Sequence, residues 1–161
     1  MSDGEATPGP ARGSATGPAA ESWGSDPAKR PAAVAPVVHR RYVPYSHAHY
    51  AGDLVDGAYV LGLFGDVATE MCIRTDGDEG LFASYSDVQF LAPVRAGDVV
   101  EVEATLHRAG RRSRELRFVA RVICRGTGAS PDESPGAAQV LAAPLVVTTA
   151  SGTVVVPAPA G

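Results

Sequence analysis

Asp66 and Glu70 stand four residues apart in a stretch without proline, so a helix would carry both carboxylates on one face, within reach of one bound molecule. Two acids held close among apolar neighbours resist ionising together; the pKa of one rises, and that group can carry a proton near neutrality. Such a pair offers general acid–base chemistry and suits a cationic substrate. Spacing alone also fits two ordinary helix-surface acids. His49 and Tyr50 lie just ahead of this stretch. A histidine there could shuttle protons or donate to a carbonyl oxygen, the plainer alternative being a loop histidine with a structural hydrogen bond. Asp56, Gly57 and Ala58 would supply the free backbone N–H groups of a helix start, where the dipole favours negative charge and a glycine lets a ligand come close. Tyr85 is either a ligand contact or a half-buried strand tyrosine. Arg108, Arg111, Arg112, Arg114 and Arg117 form the one basic cluster. Arginine forks suit phosphate oxygens, although an arginine-bearing hairpin is also an ordinary solvated face.

The elements that must position these groups follow from periodicity. From about Asp53 to Arg74 apolar residues recur as on a helix, with Asp53 or Asp56 available as cap and Arg74 suited to the C-terminal end. The pattern is apolar on more than one side, which predicts a helix enclosed by the rest of the domain. Gly62 and Gly65 within it each cost about 1 kcal/mol relative to alanine, a cost that fits the close passage of another backbone or a slender ligand. A first strand begins near Val37 and ends before Pro44. After the helix the chain turns to β: Ser84 to Leu91, a bend over Ala92 to Asp98, a hairpin of Val99 to Arg108 and Arg114 to Cys124 turning near Gly110, and a last segment from Pro144 to Val156 with a turn at Ser151-Gly152. Strand, long helix, then about four strands is the order of an α+β hotdog fold, an antiparallel sheet wrapped around a central helix.

Residues 36–158 are expected to form this single domain. Met1 to about Ala35 is rich in Gly, Pro, Ser and Ala with almost no bulky apolar residue besides Trp23, so it reads as a disordered tail, Trp23 being its one candidate docking residue. The formal net charge of -4 gives no overall field to gather nucleic acid or an anionic membrane. Cys72 and Cys124 sit in apolar stretches without zinc-ligand spacing, and buried reduced thiols are expected. No apolar run approaches bilayer length, and Asp3 and Glu5 stand where a secretory signal would be basic, so a soluble cytoplasmic protein is expected.

Two stretches carry a family resemblance. One runs from His47 to Ala58 (His-Ala-His-Tyr-Ala-Gly-Asp-Leu-Val-Asp-Gly-Ala) and continues at Gly65-Asp66-Val67-Ala68-Thr69-Glu70; the other is Asp76-Gly77-Asp78-Glu79-Gly80-Leu81-Phe82 followed by Phe90 to Asp98. Together they resemble the β-alanyl-CoA and 3-aminobutyryl-CoA ammonia-lyases, over roughly Tyr42 to Phe118. Asp53 departs from the asparagine expected there. The resemblance implies reversible removal of ammonia from a 3-aminoacyl-CoA to give the 2-enoyl-CoA, with no metal and no cofactor, coenzyme A being part of the substrate. A thioester acidifies its α proton, so a base, an oxyanion site and assistance to the leaving nitrogen are needed. Asp66, Glu70 and His49 are then the catalytic candidates, Tyr50, Asp56, Gly57, Ala58 and Tyr85 the substrate-binding ones, and Arg108, Arg111, Arg112 and Arg114 the candidates for the coenzyme A phosphates. A hotdog acyl-CoA thioesterase, a related enoyl-CoA hydratase and a non-catalytic acyl-CoA-binding domain are the alternatives. A lone hotdog sheet leaves an edge and an apolar face, so a homodimer or hexamer is expected, with the pocket at the subunit interface.

Overall fold

Alternation of buried and exposed residues sets the sheet, and a 3.6-residue period sets the helix that lies on it. The structure, a computed structural model, describes residues 34–128 and 132–157. The elements are β1 (Val37–Tyr42), a 3-10 turn (Tyr45–His47), β2 (Ala48–Tyr50), β3 (Leu54–Val55), α1 (Gly57–Asp76), β4 (Leu81–Phe90), β5 (Val99–Ala109), β6 (Ser113–Gly126) and β7 (Ala138–Val155). Five strands form one sheet in the order β1-β5-β6-β7-β4, every pair antiparallel, while β2 and β3 pair separately ahead of the helix. This is the hotdog fold. The expected tail lies outside the described residues, Trp23 included; Val34 already packs against the core, one residue inside the expected tail boundary.

The helix starts later than Asp53. Gly52 and Asp53 both take left-handed backbone, with φ of 73° and 60°, and so belong to a turn; Asp56 is the cap, accepting a hydrogen bond from the Tyr59 N–H at 2.9 Å. Position 53 therefore needs a residue that tolerates this conformation, which asparagine and aspartate both do. At the other end Gly77, φ 70°, closes the helix by donating to the Ile73 carbonyl at 3.0 Å.

Val60, Leu63, Phe64, Val67, Ala68, Met71 and Cys72 are the buried helix residues, a single stripe against the inner sheet face of Val100, Val102, Phe118, Ala120 and Val122. The opposite stripe, including Ala58, Gly62, Asp66 and Ile73, is exposed, and none of the described residues lies within 4 Å of the position a Cβ would take on Gly62 or Gly65. The expected enclosure thus holds on one side only within a single chain.

The last strand is one element, without a turn at Ser151-Gly152. Gly152 sits where the rings of Phe82 and Phe118 would stand 2.6 and 3.0 Å from an added Cβ, so this glycine makes room for aromatic packing. Pro144 falls where the β6–β7 register shifts between Val122 and Cys124, a place where its missing N–H interrupts no regular ladder. Among the described residues neither β1 nor β4 has a second partner strand, which makes them the two edges of the described sheet.

Candidate active site

The start of α1 opens into a cleft of about 460 Å³. Asp56 spends one carboxylate oxygen on the Tyr59 N–H, while the first-turn N–H groups of Gly57 and Ala58 have no helical carbonyl to bond. Tyr50 stands at the exposed lip, Val55 and Val60 line one wall, and the bend through Ala92, Pro93 and Val94 lines another. That bend is held by Asp98, only 1% exposed, which accepts hydrogen bonds from the Arg95 N–H at 2.8 Å and from Arg125 at 2.9 and 2.6 Å; Arg125 also reaches the Pro93 carbonyl at 2.9 Å. The Ala-Pro-Val-x-x-Gly-Asp segment is therefore a wall-building device. The space beside Gly57 is taken by the Phe90 ring, 2.6 Å from where a Cβ would stand. Gly57 was expected to admit a thioester; in this chain its missing side chain first admits that exposed ring.

Farther along the helix the two acids take separate partners. Nε2 of His39, on β1, lies 2.5 Å from Oε2 of Glu70, and Arg74 pairs with the other oxygen of Glu70. The His39 hydrogen bond holds the Glu70 carboxyl below its ordinary value, against the opposing effect of desolvation, and Arg74 adds to the lowering. Asp66 has Arg41 at 3.8 Å and a side chain 53% exposed. The expected enclosure of the pair by apolar neighbours is corrected here: Asp66 is exposed beside Arg41, and Glu70 is held by His39 from β1 and by Arg74 from the next helical turn. At 1.5 Å per residue, Asp66 and Glu70 lie about 13 and 20 Å along the axis from Gly57. Neither lines the cleft. Within one chain, the helix start and the acids stand apart.

His49, in β2, is exposed and packs edge-on against Tyr50 with ring centroids 4.5 Å apart; His47 packs against Tyr59 with centroids 4.6 Å apart and the rings tilted. Tyr85 is a structural tyrosine, correcting its assignment to the substrate. Its hydroxyl donates to the Leu61 carbonyl at 2.7 Å, its ring packs against Phe82 and Phe118, and burial pushes its pKa to about 12. Arg114 is likewise corrected. It forks onto Asp76 at the C-terminal end of α1 and donates to the Gly110 and Ser113 carbonyls at 2.8 and 2.9 Å, its side chain only 12% exposed. Arg108 pairs with Glu115 across the hairpin, its Nε at 3.0 Å, while Arg111 and Arg112 stand exposed on the turn. The whole cluster sits at the far end of a 20-residue helix, about 30 Å from the cleft, because the hairpin tip packs beside Asp76. One chain does not bring these arginines to the helix start.

His39 went unnoticed in the sequence, although period-two alternation through Val37, His39, Arg41 and Val43 aims it at the helix. Thr148 was also missed. Among the described residues no three His, Cys, Asp or Glu side chains gather as a metal site requires, and no helix is long and apolar enough to cross a membrane.

Comparison with known proteins places this geometry. The sequence model of the Thioesterase superfamily matches residues 54–122. The chain is 55% identical over 111 residues to a 3-aminobutyryl-CoA ammonia lyase of Acetoanaerobium sticklandii, a match spanning 68% of this chain and 85% of that protein. Its structure is similar to that of β-alanyl-CoA:ammonia lyase from Clostridium propionicum, with a TM-score of 0.71 and 32% identity over 76% of this chain and 85% of the other. A hexameric hotdog-fold thioesterase of Campylobacter jejuni shares the fold at a TM-score of 0.60 and 17% identity, over 74% and 81% of the two chains.

Proposed function

The chain belongs to the 3-aminobutyryl-CoA ammonia lyase family, and we infer that it catalyses the reversible removal of ammonia from a 3-aminoacyl-CoA to give the 2-enoyl-CoA. The observation that carries this is the 55% identity over 85% of that relative's length, with a lyase fold at a TM-score of 0.71 beside it. In the elimination the α C–H pair becomes the C=C bond, the C–N pair leaves with ammonia, and the base keeps the α proton. Negative charge gathers meanwhile on the thioester oxygen, for which the Gly57 and Ala58 N–H groups at the helix start are the proposed donors. Asp66 and Glu70 are the proposed base-and-acid pair, and His49, beside Tyr50 at the cleft lip, the proposed relay to solvent. The reading asks for no metal and no cofactor.

The separation of the helix start from the acids calls for a second copy. A two-fold axis perpendicular to α1 would lay two helices antiparallel on their exposed stripes, and the bare Gly62 and Gly65 permit the close end of the usual 8–10 Å spacing. If the crossing lies between those glycines, the partner's Glu70 comes level with Gly57 and its Asp66 within about a turn. Each site then takes its oxyanion donors from one helix and its acids from the other. The same antiparallel arrangement brings the partner's hairpin end, with Arg111 and Arg112, toward the cleft mouth as the proposed phosphate contact. The test is kinetic. Asp66→Asn and Glu70→Gln, made singly, should each lower turnover by roughly 10²–10⁴ while butyryl-CoA still binds; full turnover in both would remove the assignment.

A further inference from the structure

Thr148 is 1% exposed and lines the cleft at the start of α1; no wholly buried side-chain polar atom among the described residues lacks a hydrogen bond, so a Thr148 hydroxyl that has no partner there keeps its small remaining exposure toward the cleft. Buried hydroxyls are ordinarily satisfied, so an unpartnered one facing a cavity marks a place for a ligand's polar group. Its position has a local cause. The β6–β7 register slips between Ala120 and Arg121, so Val147 and Thr148 are both buried in succession, and the Val147 carbonyl is free to accept from the Leu91 N–H at 2.8 Å and the Ala92 N–H at 3.3 Å. The bulge thereby sets a hydroxyl among walls otherwise made by Val55, Val60, Leu91 and Val94.

Asp56 lines the same cleft. One of its oxygens caps Tyr59; the other has no hydrogen bond or ion pair among the described residues. An unpaired carboxylate beside N–H groups assigned to a developing anion would oppose the reaction unless the substrate brings a cation. A 3-aminoacyl thioester brings one, two carbons from its carbonyl. We propose that the free oxygen of Asp56 and the Thr148 hydroxyl form the subsite that receives the substrate's β-ammonium group. Both offer acceptors to a group that only donates, and the apolar walls between them hold the short acyl chain. The subsite separates an amino substrate from a plain acyl or hydroxyacyl one by charge. This rests on the lyase reading above and adds the recognition of its nitrogen.

The test runs the full-length protein in the direction of ammonia addition, where the two substrates report on different parts of the cleft. Asp56→Asn keeps a good helix cap and loses the charge. It should raise the KM for ammonium roughly ten- to a hundredfold and leave the KM for crotonyl-CoA within about twofold. Thr148→Val should raise the ammonium KM about five- to tenfold, and Thr148→Ser should restore it. Equal increases in both KM values, or no change in the ammonium KM with either Asp56→Asn or Thr148→Val, would overturn the subsite while leaving the lyase reading intact. A wild-type protein that adds no ammonia would remove both.

Discussion

If each site draws its cleft from one chain and its acids from another, two dead variants should rescue each other. The first carries Asp66→Asn with Glu70→Gln and keeps an open cleft. The second carries Ala92→Trp, which fills the cleft wall while leaving the acids untouched. Axial distances of about 13 and 20 Å between Gly57 and the acids exceed what a thioester and its α and β carbons can bridge, so neither variant can complete a site with its own helix. In a random one-to-one mixture half of the two-fold pairs are mixed, and in each of those one site joins a good cleft to good acids. Recovered activity should therefore approach about a quarter of wild type in the unfractionated mixture and about half in purified mixed two-fold pairs, each of which holds one complete site of two. The assay is co-expression with two affinity tags, sequential purification of mixed oligomers, and the rate of ammonia addition to crotonyl-CoA. Mixed oligomers as inactive as either parent would refute the shared site and return the acids and the cleft to separate roles.

Two further outcomes concern the scaffold. Gly152→Ala should destabilise the protein by about 1–3 kcal/mol in urea denaturation, because the new methyl meets the Phe82 and Phe118 rings at 2.6 and 3.0 Å. Arg114→Ala should cost about 2–4 kcal/mol at neutral pH by leaving Asp76 unpaired at 13% exposure, without weakening coenzyme A ester binding. Desolvation raises the Asp76 carboxyl, but the Arg114 and Thr75 hydrogen bonds outweigh it and hold it below its ordinary value. Its stabilisation is therefore fully present above the unfolded-state pKa of about 4 and lost as pH falls through the lowered folded value. The gap between wild type and Arg114→Ala should close on acidification; a gap independent of pH would contradict this role.

Much of the architecture was legible because burial leaves a period. The strand starting at Val37, the helix through Leu63 and Phe64, and the hairpin turning at Gly110 all announce themselves by spacing and composition. What misled was punctuation: Ser151-Gly152 has the composition of a turn, and only the aromatic rings from β4 and β6 show why glycine stands in the middle of a strand. Charge misled in a similar way. Arg114 and Arg111 look alike in sequence, yet Asp76, 38 residues away from Arg114, makes one an anchor and leaves the other exposed on a turn. The His39–Glu70 contact joins residues 31 apart and has no local signature. The candidate acids were readable as a pair on one helix face, but their distance from the helix start emerged only once the cleft was placed at Gly57. Thr148 could not have been singled out, because its burial depends on a register slip between two strands.

The most direct measurement incubates the purified full-length chain with crotonyl-CoA and ammonium and follows the products by mass. Formation of 3-aminobutyryl-CoA, reversed on removing ammonium and accompanied by no free thiol, is the result expected of this site. Release of coenzyme A thiol with no amine adduct would contradict it and make the chain a thioesterase built on the same fold.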